Sequence, residues 1–182
     1  MIIGIAAFQG ACREHSIHLR QRGWQERRVV KGEDLEGLDG LIFPGGESTV
    51  MKRFFAERDF QRSFDSWRKT NRPVWGVCAG AILLSKTIDG GENPLGLADV
   101  SIERNAYGRH RESGYRTVTF IDGTVMEGLF IRAPRISATG QGLSIIARAG
   151  KDPVVVRHGS VWLTTWHPEL DEASGLYDMI FG

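Results

Sequence analysis

The stretch Gly76-Val77-Cys78-Ala79-Gly80 constrains the fold more than any other part of the chain. The apolar Pro73-Val74-Trp75 enters it as a strand, and the run from Ala79 to Lys86 leaves it as a helix. Small residues around Cys78 permit a sharp strand-to-helix turn that lifts the sulfur out of the sheet. The same turn sets the thiol at a helix N-terminus, whose partial positive charge favours thiolate. Taken alone, the pentapeptide also fits a buried, inert cysteine followed by a flexible glycine. The rest of the chain has to decide.

Upstream, residues 2–8 form an apolar run of strand length. Residues 13–22 read as an amphipathic helix with Ile17 and Leu19 facing inward and Gly23 as its C-cap. Short strands follow around Val29-Val30 and at Leu41-Ile42-Phe43, the latter ending at Pro44-Gly45-Gly46. Ser48 caps a helix through Val50, Met51, Phe54 and Phe55, and a further helix covers about residues 60–69. Short apolar strands alternating with helices call for a parallel sheet covered on both faces. Strand-like runs at 115–121, 144–148, 153–157 and 161–165 then predict an antiparallel extension, with residues 171–181 as a closing helix. The expected fold is a three-layer α/β domain with a mostly parallel central sheet. Without a Pro-rich linker, repeat or low-complexity segment, residues 1–182 read as one domain.

Composition narrows the function by exclusion. With 23 basic against 22 acidic side chains, charge gives no argument for nucleic acid or an acidic membrane surface. No apolar run reaches the roughly 20 residues of a membrane span. Met1-Ile2-Ile3-Gly4-Ile5 reads as a strand rather than a signal peptide. Cys12 and Cys78 are far apart and form no CxxC, so a disulfide framework or zinc site is not expected, and a reducing cytoplasm fits.

Two further clusters carry chemistry. In Trp166-His167-Pro168-Glu169, after the last strand, Pro168 can bend the chain so that His167 and Glu169 point the same way. That suits a base oriented by a carboxylate, with Cys78 brought near by the fold; ordinary surface hydrogen bonds are the alternative. In Pro44-Gly45-Gly46-Glu47-Ser48-Thr49, consecutive glycines let backbone N–H groups approach a ligand and stabilise a developing oxyanion. A phosphate loop or a plain turn are the other readings, although neither GxxxxGK[ST] nor GxGxxG is present.

PGGEST at 44–49, GVCAG at 76–80 and HPE at 167–169 together resemble the class I (triad) glutamine amidotransferases, which have a flavodoxin-like fold. Phe8-Gln9-Gly10 with Arg13-Glu14-His15, Glu103-Arg104-Asn105 with Tyr107-Gly108-Arg109, and Phe130-Ile131-Arg132-Ala133-Pro134 are similar to the glutaminase subunits of pyridoxal 5′-phosphate synthases. The resemblance implies Cys78 as nucleophile, His167 as general base and acid, and Glu169 as its orienting partner. It implies an oxyanion hole from the N–H groups of Gly46 and Ala79, and L-glutamine contacts at Gly46, Glu47, Ser48, Arg104, Ile131 and Arg132. It also implies a synthase subunit that takes up the ammonia, and neither a metal nor an organic cofactor in this chain. Gln9 and Gly10, at the sheet edge expected to hold Cys78, are the candidate partner-facing residues.

Val77 stands where the family favours a small or hydroxyl residue, and Trp166 where it favours phenylalanine. The chain also stops at Gly182, soon after its last helical run, which puts the docking of the closing helix in question. Alone, Arg104 and Arg132 would fit surface ion pairs. His15, His18, His110 and His158 read as structural or solvated, and Cys12 as a packing residue. A glutaminase serving another synthase, such as that for imidazole glycerol phosphate, and a non-catalytic flavodoxin-like regulatory module are the rival functions.

Overall fold

The computed structural model describes the chain apart from Gln9, Ala56, Glu57, Pro94, residues 107–112, Glu172 and Ala173, and apart from the side chains of Phe54 and Arg58. The elements in order are β1 (Ile2–Ala6), α1 (Cys12–Gln21), β2 (Gln25–Val29), β3 (Gly40–Phe43), α2 (Ser48–Phe55), α3 (Arg58–Arg68), β4 (Val74–Val77) and α4 (Ala79–Leu84). There follow β5 (Ser85–Ile88), β6 (Gly91–Glu92), β7 (Ala98–Glu103), β8 (Gly114–Phe120), β9 (Val125–Phe130), β10 (Arg135–Thr139), β11 (Leu143–Ala149), β12 (Asp152–His158), β13 (Val161–Thr164) and α5 (Leu176–Phe181).

Among the described residues, nine strands form one sheet in the order β2-β1-β3-β4-β13-β12-β11-β8-β9. The first five are mutually parallel and the rest continue antiparallel. Taken over the parallel part, the order 2-1-3-4-5 is that of flavodoxin-like folds. Period-2 alternation splits even the all-apolar strands between two faces. Leu41, Phe43 and Val74 pack with Met51, Phe55, Phe60 and Phe64 of α2 and α3. Ile42, Trp75 and Val77 pack with Leu19 of α1 and with Leu176, Tyr177 and Phe181 of α5. The sheet is thus the middle of three layers. Among the described residues, no helix is long and apolar enough to cross a membrane.

Four readings need correction. A separate four-stranded sheet, β10-β7-β5-β6, accompanies the main one. The expected helix through Lys86 ends at Leu84 because Ser85 turns extended, at φ −70° and ψ 156°, and opens β5. In α1, Ile17 is 46% exposed while His15 and His18 are buried beside Leu19, so the inward face carries two imidazoles. The closing helix spans only Leu176–Phe181, yet it docks fully: Tyr177 is buried and meets Trp75 edge-on at 4.9 Å.

Candidate active site

The strands that carry the cysteine and the histidine are neighbours. β4 and β13 run parallel with Val77 opposite Thr164, so the chain leaves both at the same edge of the sheet. Cys78 follows at once, and its N–H donates to the Thr164 carbonyl at 2.8 Å. The Trp75 indole N–H donates to Thr164 Oγ1 at 2.9 Å, locking the two strands in register. Cys78 holds φ +49° and ψ −100°, a strained conformation for a side-chain-bearing residue. The flanking glycines explain how the turn fits. A Cβ on Gly76 would lie 2.7 Å from the Gly80 carbonyl, and one on Gly80 would lie 2.0 Å from the Phe43 carbonyl oxygen.

Beyond β13, the His167 N–H donates to the Leu129 carbonyl of β9 at 3.1 Å. Pro168 starts a 3-10 turn, Pro168–Leu170, that swings Glu169 back beneath the imidazole. His167 Nδ1 then lies 2.7 Å from Glu169 Oε1, and the Glu169 side chain is 0% exposed. Burial by itself would push the His167 pKa down, but hydrogen bonds and charge from Cys78 and Glu169 outweigh it and raise it to about 10. Burial would likewise raise Glu169, and the His167 hydrogen bond prevails and holds it low. His167 therefore sits between Cys78 and Glu169, with its hydrogen bond to the carboxylate.

Cys78 and His167 open into a cavity of about 500 Å³, a size suited to a small polar metabolite. Gly46 and Ala79 line it beside the sulfur, and Gly46 has φ +154°. Glu47, Ser48, Arg104, Ile131 and Arg132 line the remainder, so every residue that the resemblance implies for glutamine falls in one cavity. Thr49 and Asn105, quoted above within motifs but assigned no contact, also line it, as does Ile82, which escaped the sequence analysis. Glu169 is set behind His167, outside the cavity wall. Among the described residues, no three His, Cys, Asp or Glu side chains are grouped as a metal ion would need.

Arg104 lines the cavity and is also ion-paired. Its backbone N–H donates to Asp89 Oδ1 at 2.9 Å and its Nε to Oδ2 at 2.6 Å. Asp89 itself went unnoticed in the sequence. Of the partner-facing candidates, Gly10 abuts the glycine loop: a Cβ there would lie 1.8 Å from the Gly45 carbonyl oxygen, which accepts the Ala11 N–H at 3.2 Å. Gln9 lies outside the described residues, as do Tyr107, Gly108, Arg109 and His110. Cys12 is half-buried with its Sγ 3.9 Å from the Ala6 carbonyl, a packing role. His158 is held near Leu97 and Asp99, away from the site.

The family model for the SNO glutamine amidotransferases matches residues 5–181. The chain belongs to the SNO glutamine amidotransferase family. Among its SNO-family relatives, the pyridoxal 5′-phosphate synthase subunit PdxT of Caldicellulosiruptor saccharolyticus is 43% identical over 171 residues, covering 92% of this chain and 90% of that protein. The PdxT subunit of Halalkalibacterium halodurans is 41% identical over 173 residues, covering 93% and 88%. A crystal structure described as a glutamine amidotransferase superposes with a TM-score of 0.91 at 38% identity, covering 99% of this chain and 97% of that one. PurLQS from Thermotoga maritima, at TM-score 0.75 and 14% identity, shares the fold alone. The flavodoxin-like SNO fold and the cysteine, histidine and glutamate at its sheet edge therefore occur together in this chain.

Proposed function

We infer that this chain is the cytoplasmic glutaminase subunit of a pyridoxal 5′-phosphate synthase, hydrolysing L-glutamine to L-glutamate and ammonia. One observation carries the reading. Cys78 and His167 face a single cavity of about 500 Å³, with Glu169 2.7 Å behind the imidazole. PdxT relatives of nearly full length, at 41% and 43% identity, support the assignment to that synthase. Residues 1–182 act as one domain, since Ala98, Val100 and Ile102 of the smaller sheet share a core with Leu41 and Phe43 of the larger.

The chemistry follows from the groups present. Cys78 Sγ, as thiolate, attacks the side-chain amide carbon, and the carbonyl π electrons move onto oxygen. The N–H groups of Gly46 and Ala79 stabilise that oxyanion. As the tetrahedral intermediate collapses, the C–N bond breaks and the protonated His167 gives its proton to the departing nitrogen, releasing ammonia. A γ-glutamyl thioester remains on Cys78. His167, now neutral, takes a proton from water, whose oxygen attacks the thioester carbon; the C–S bond breaks, and glutamate and the Cys78 thiolate are regenerated. Arg104, Arg132 and Glu47 offer charges complementary to the amino acid's carboxylate and ammonium. Free ammonia would be protonated and lost in water, so the synthase subunit receives it directly.

Glutamine turnover measured with and without the synthase subunit tests this reading. Turnover should rise well above that of this chain alone, and Cys78→Ala should abolish it with the fold retained. Wild-type turnover in Cys78→Ala would overturn the mechanism. Gly46→Val should cost about 10²–10³ in rate, far more than its effect on stability.

A further inference from the structure

The side of Glu169 away from His167 is built from groups the reaction scheme does not use. Among the described residues, Glu169 Oε2 is buried with no hydrogen-bond partner, and so is Nε2 of His15, which is 0% exposed. His15 Nδ1 lies 2.6 Å from the Tyr177 hydroxyl of α5. The His15 ring is fixed edge-on against Trp75 at 5.6 Å and Tyr177 at 5.8 Å. One turn along α1, His18 stacks on Tyr177 at 4.6 Å, and its Nε2 lies 3.2 Å from the Glu169 backbone carbonyl. Arg22, paired with Asp178, lies over the other part of the Tyr177 environment at 5.1 Å from the ring centre.

We propose that His15 is a positioning residue for glutamine hydrolysis: with its tautomer set by Tyr177, it presents a neutral N–H to Glu169 from the side opposite His167. The proposal rests on the reading of Cys78, His167 and Glu169 as the reacting group. Its physical basis is hydrogen-bond polarity. An ionised carboxylate only accepts, and a neutral imidazole has one N–H and one lone pair. If Nε2 carried the lone pair, it and Glu169 Oε2 would be two buried acceptors with no donor between them. The compatible arrangement has Tyr177 O–H donating to Nδ1, which places the ring proton on Nε2 towards Glu169.

Neutrality matters as much as polarity. Burial pushes the His15 pKa down to about 4, against the attraction of Glu169. At pH 7 it therefore donates without adding a charge. A lysine or arginine in its place would compensate the Glu169 charge that His167 needs. His18 holds the Glu169 backbone through a ring N–H to its carbonyl. In this arrangement His15 offers the carboxylate a neutral donor, and His167 is the cation beside it.

The test uses the complex with its synthase subunit and compares His15→Leu, His15→Gln and Tyr177→Phe for glutaminase kcat, KM and pH profile. His15→Leu should lower kcat about 10- to 100-fold with KM changed less than about threefold. It should also move the alkaline limb of kcat to lower pH, because a loosened Glu169 supports the His167 proton less. His15→Gln, which keeps a donor, should recover part of both effects. Tyr177→Phe removes only a hydroxyl and should shift kcat and the limb in the same direction, and it decides the question if His15→Leu does not fold. Unchanged kcat and limb overturn the proposal, as does a loss of stability with the limb unmoved. Cys78→Ala and His167→Asn run in parallel: if they retain activity the triad reading itself fails, whereas if they are dead and His15→Leu is normal only the proposal does.

Discussion

A Cβ built on Gly45 would lie 2.6 Å from Cε1 and 3.0 Å from Nδ1 of His167. The first glycine of the loop is therefore the floor on which the imidazole rests, while the second, Gly46, faces the cavity. Gly45→Ala should push the ring off Glu169. A displacement of about 1 Å can cost about 10²-fold in rate, whereas overpacking costs about 1–3 kcal/mol of stability. Steady-state glutaminase kinetics beside a thermal melt would separate the two, and near-normal kcat in Gly45→Ala would show that the contact does not position His167.

The strained backbone at Cys78 makes an inverted stability order. Glycine is ordinarily the poorer choice for stability than alanine by about 0.5–1 kcal/mol. At φ +49° and ψ −100° the preference should reverse. Cys78→Gly should melt at or above Cys78→Ala, with both inactive. A clearly lower melting temperature for the glycine variant would mean that the elbow stores no strain.

Asp89 should tune glutamine affinity through Arg104. The pair is about half exposed, at 40% and 47%, so its worth is that of a surface pair, roughly 0.2–1 kcal/mol. Asp89→Ala should therefore raise KM for glutamine about two- to fivefold, with kcat changed less. Asp89→Asn, which keeps the acceptor for the Arg104 N–H, should fall between. A kcat loss with constant KM would place Arg104 outside the glutamine site.

The His167–Glu169 pair sets a pH window. His167 is raised from 6.5 to about 10, so the proton needed by departing ammonia persists through neutral pH and is lost as pH approaches 10. The alkaline limb of kcat should lie near that value and move to lower pH in Glu169→Gln. For stability, the raised His167 contributes fully below pH 6.5 and is lost as pH rises through about 10. Glu169, lowered from 4.5, contributes above that value and is lost as pH falls through its lowered one. Wild type should thus exceed Glu169→Gln in melting temperature most clearly between pH 4.5 and 6.5. A constant difference from pH 5 to 10 would refute the ion pair.

The sequence alone determined what local pattern can encode. The elbow at Cys78, the Gly45-Gly46 loop and the His-Pro-Glu bend are short, each sits at the end of an apolar strand, and each was legible as chemistry before any fold was known. Strands of the parallel core and helix α2 were legible for the same reason, since burial on both faces leaves unbroken apolar runs. The small sheet was not. Strand β5 continues straight from helix α4 and β6 has only two residues, so neither carries a period of its own. Strand β7 does alternate, with Ala98, Val100 and Ile102 buried between Asp99, Ser101 and Glu103, a strand pattern that the sequence analysis passed over. Nor could α1 declare its inward face, because His15 and His18 count as polar in any pattern of hydropathy. Only the tertiary structure decided that these imidazoles meet Tyr177, more than 150 residues away, behind Glu169. It alone joined Asp89 to Arg104 and set Gly45 against His167. Such contacts depend on sheet order and helix docking, which bring distant residues together through global packing that no local stretch of sequence specifies.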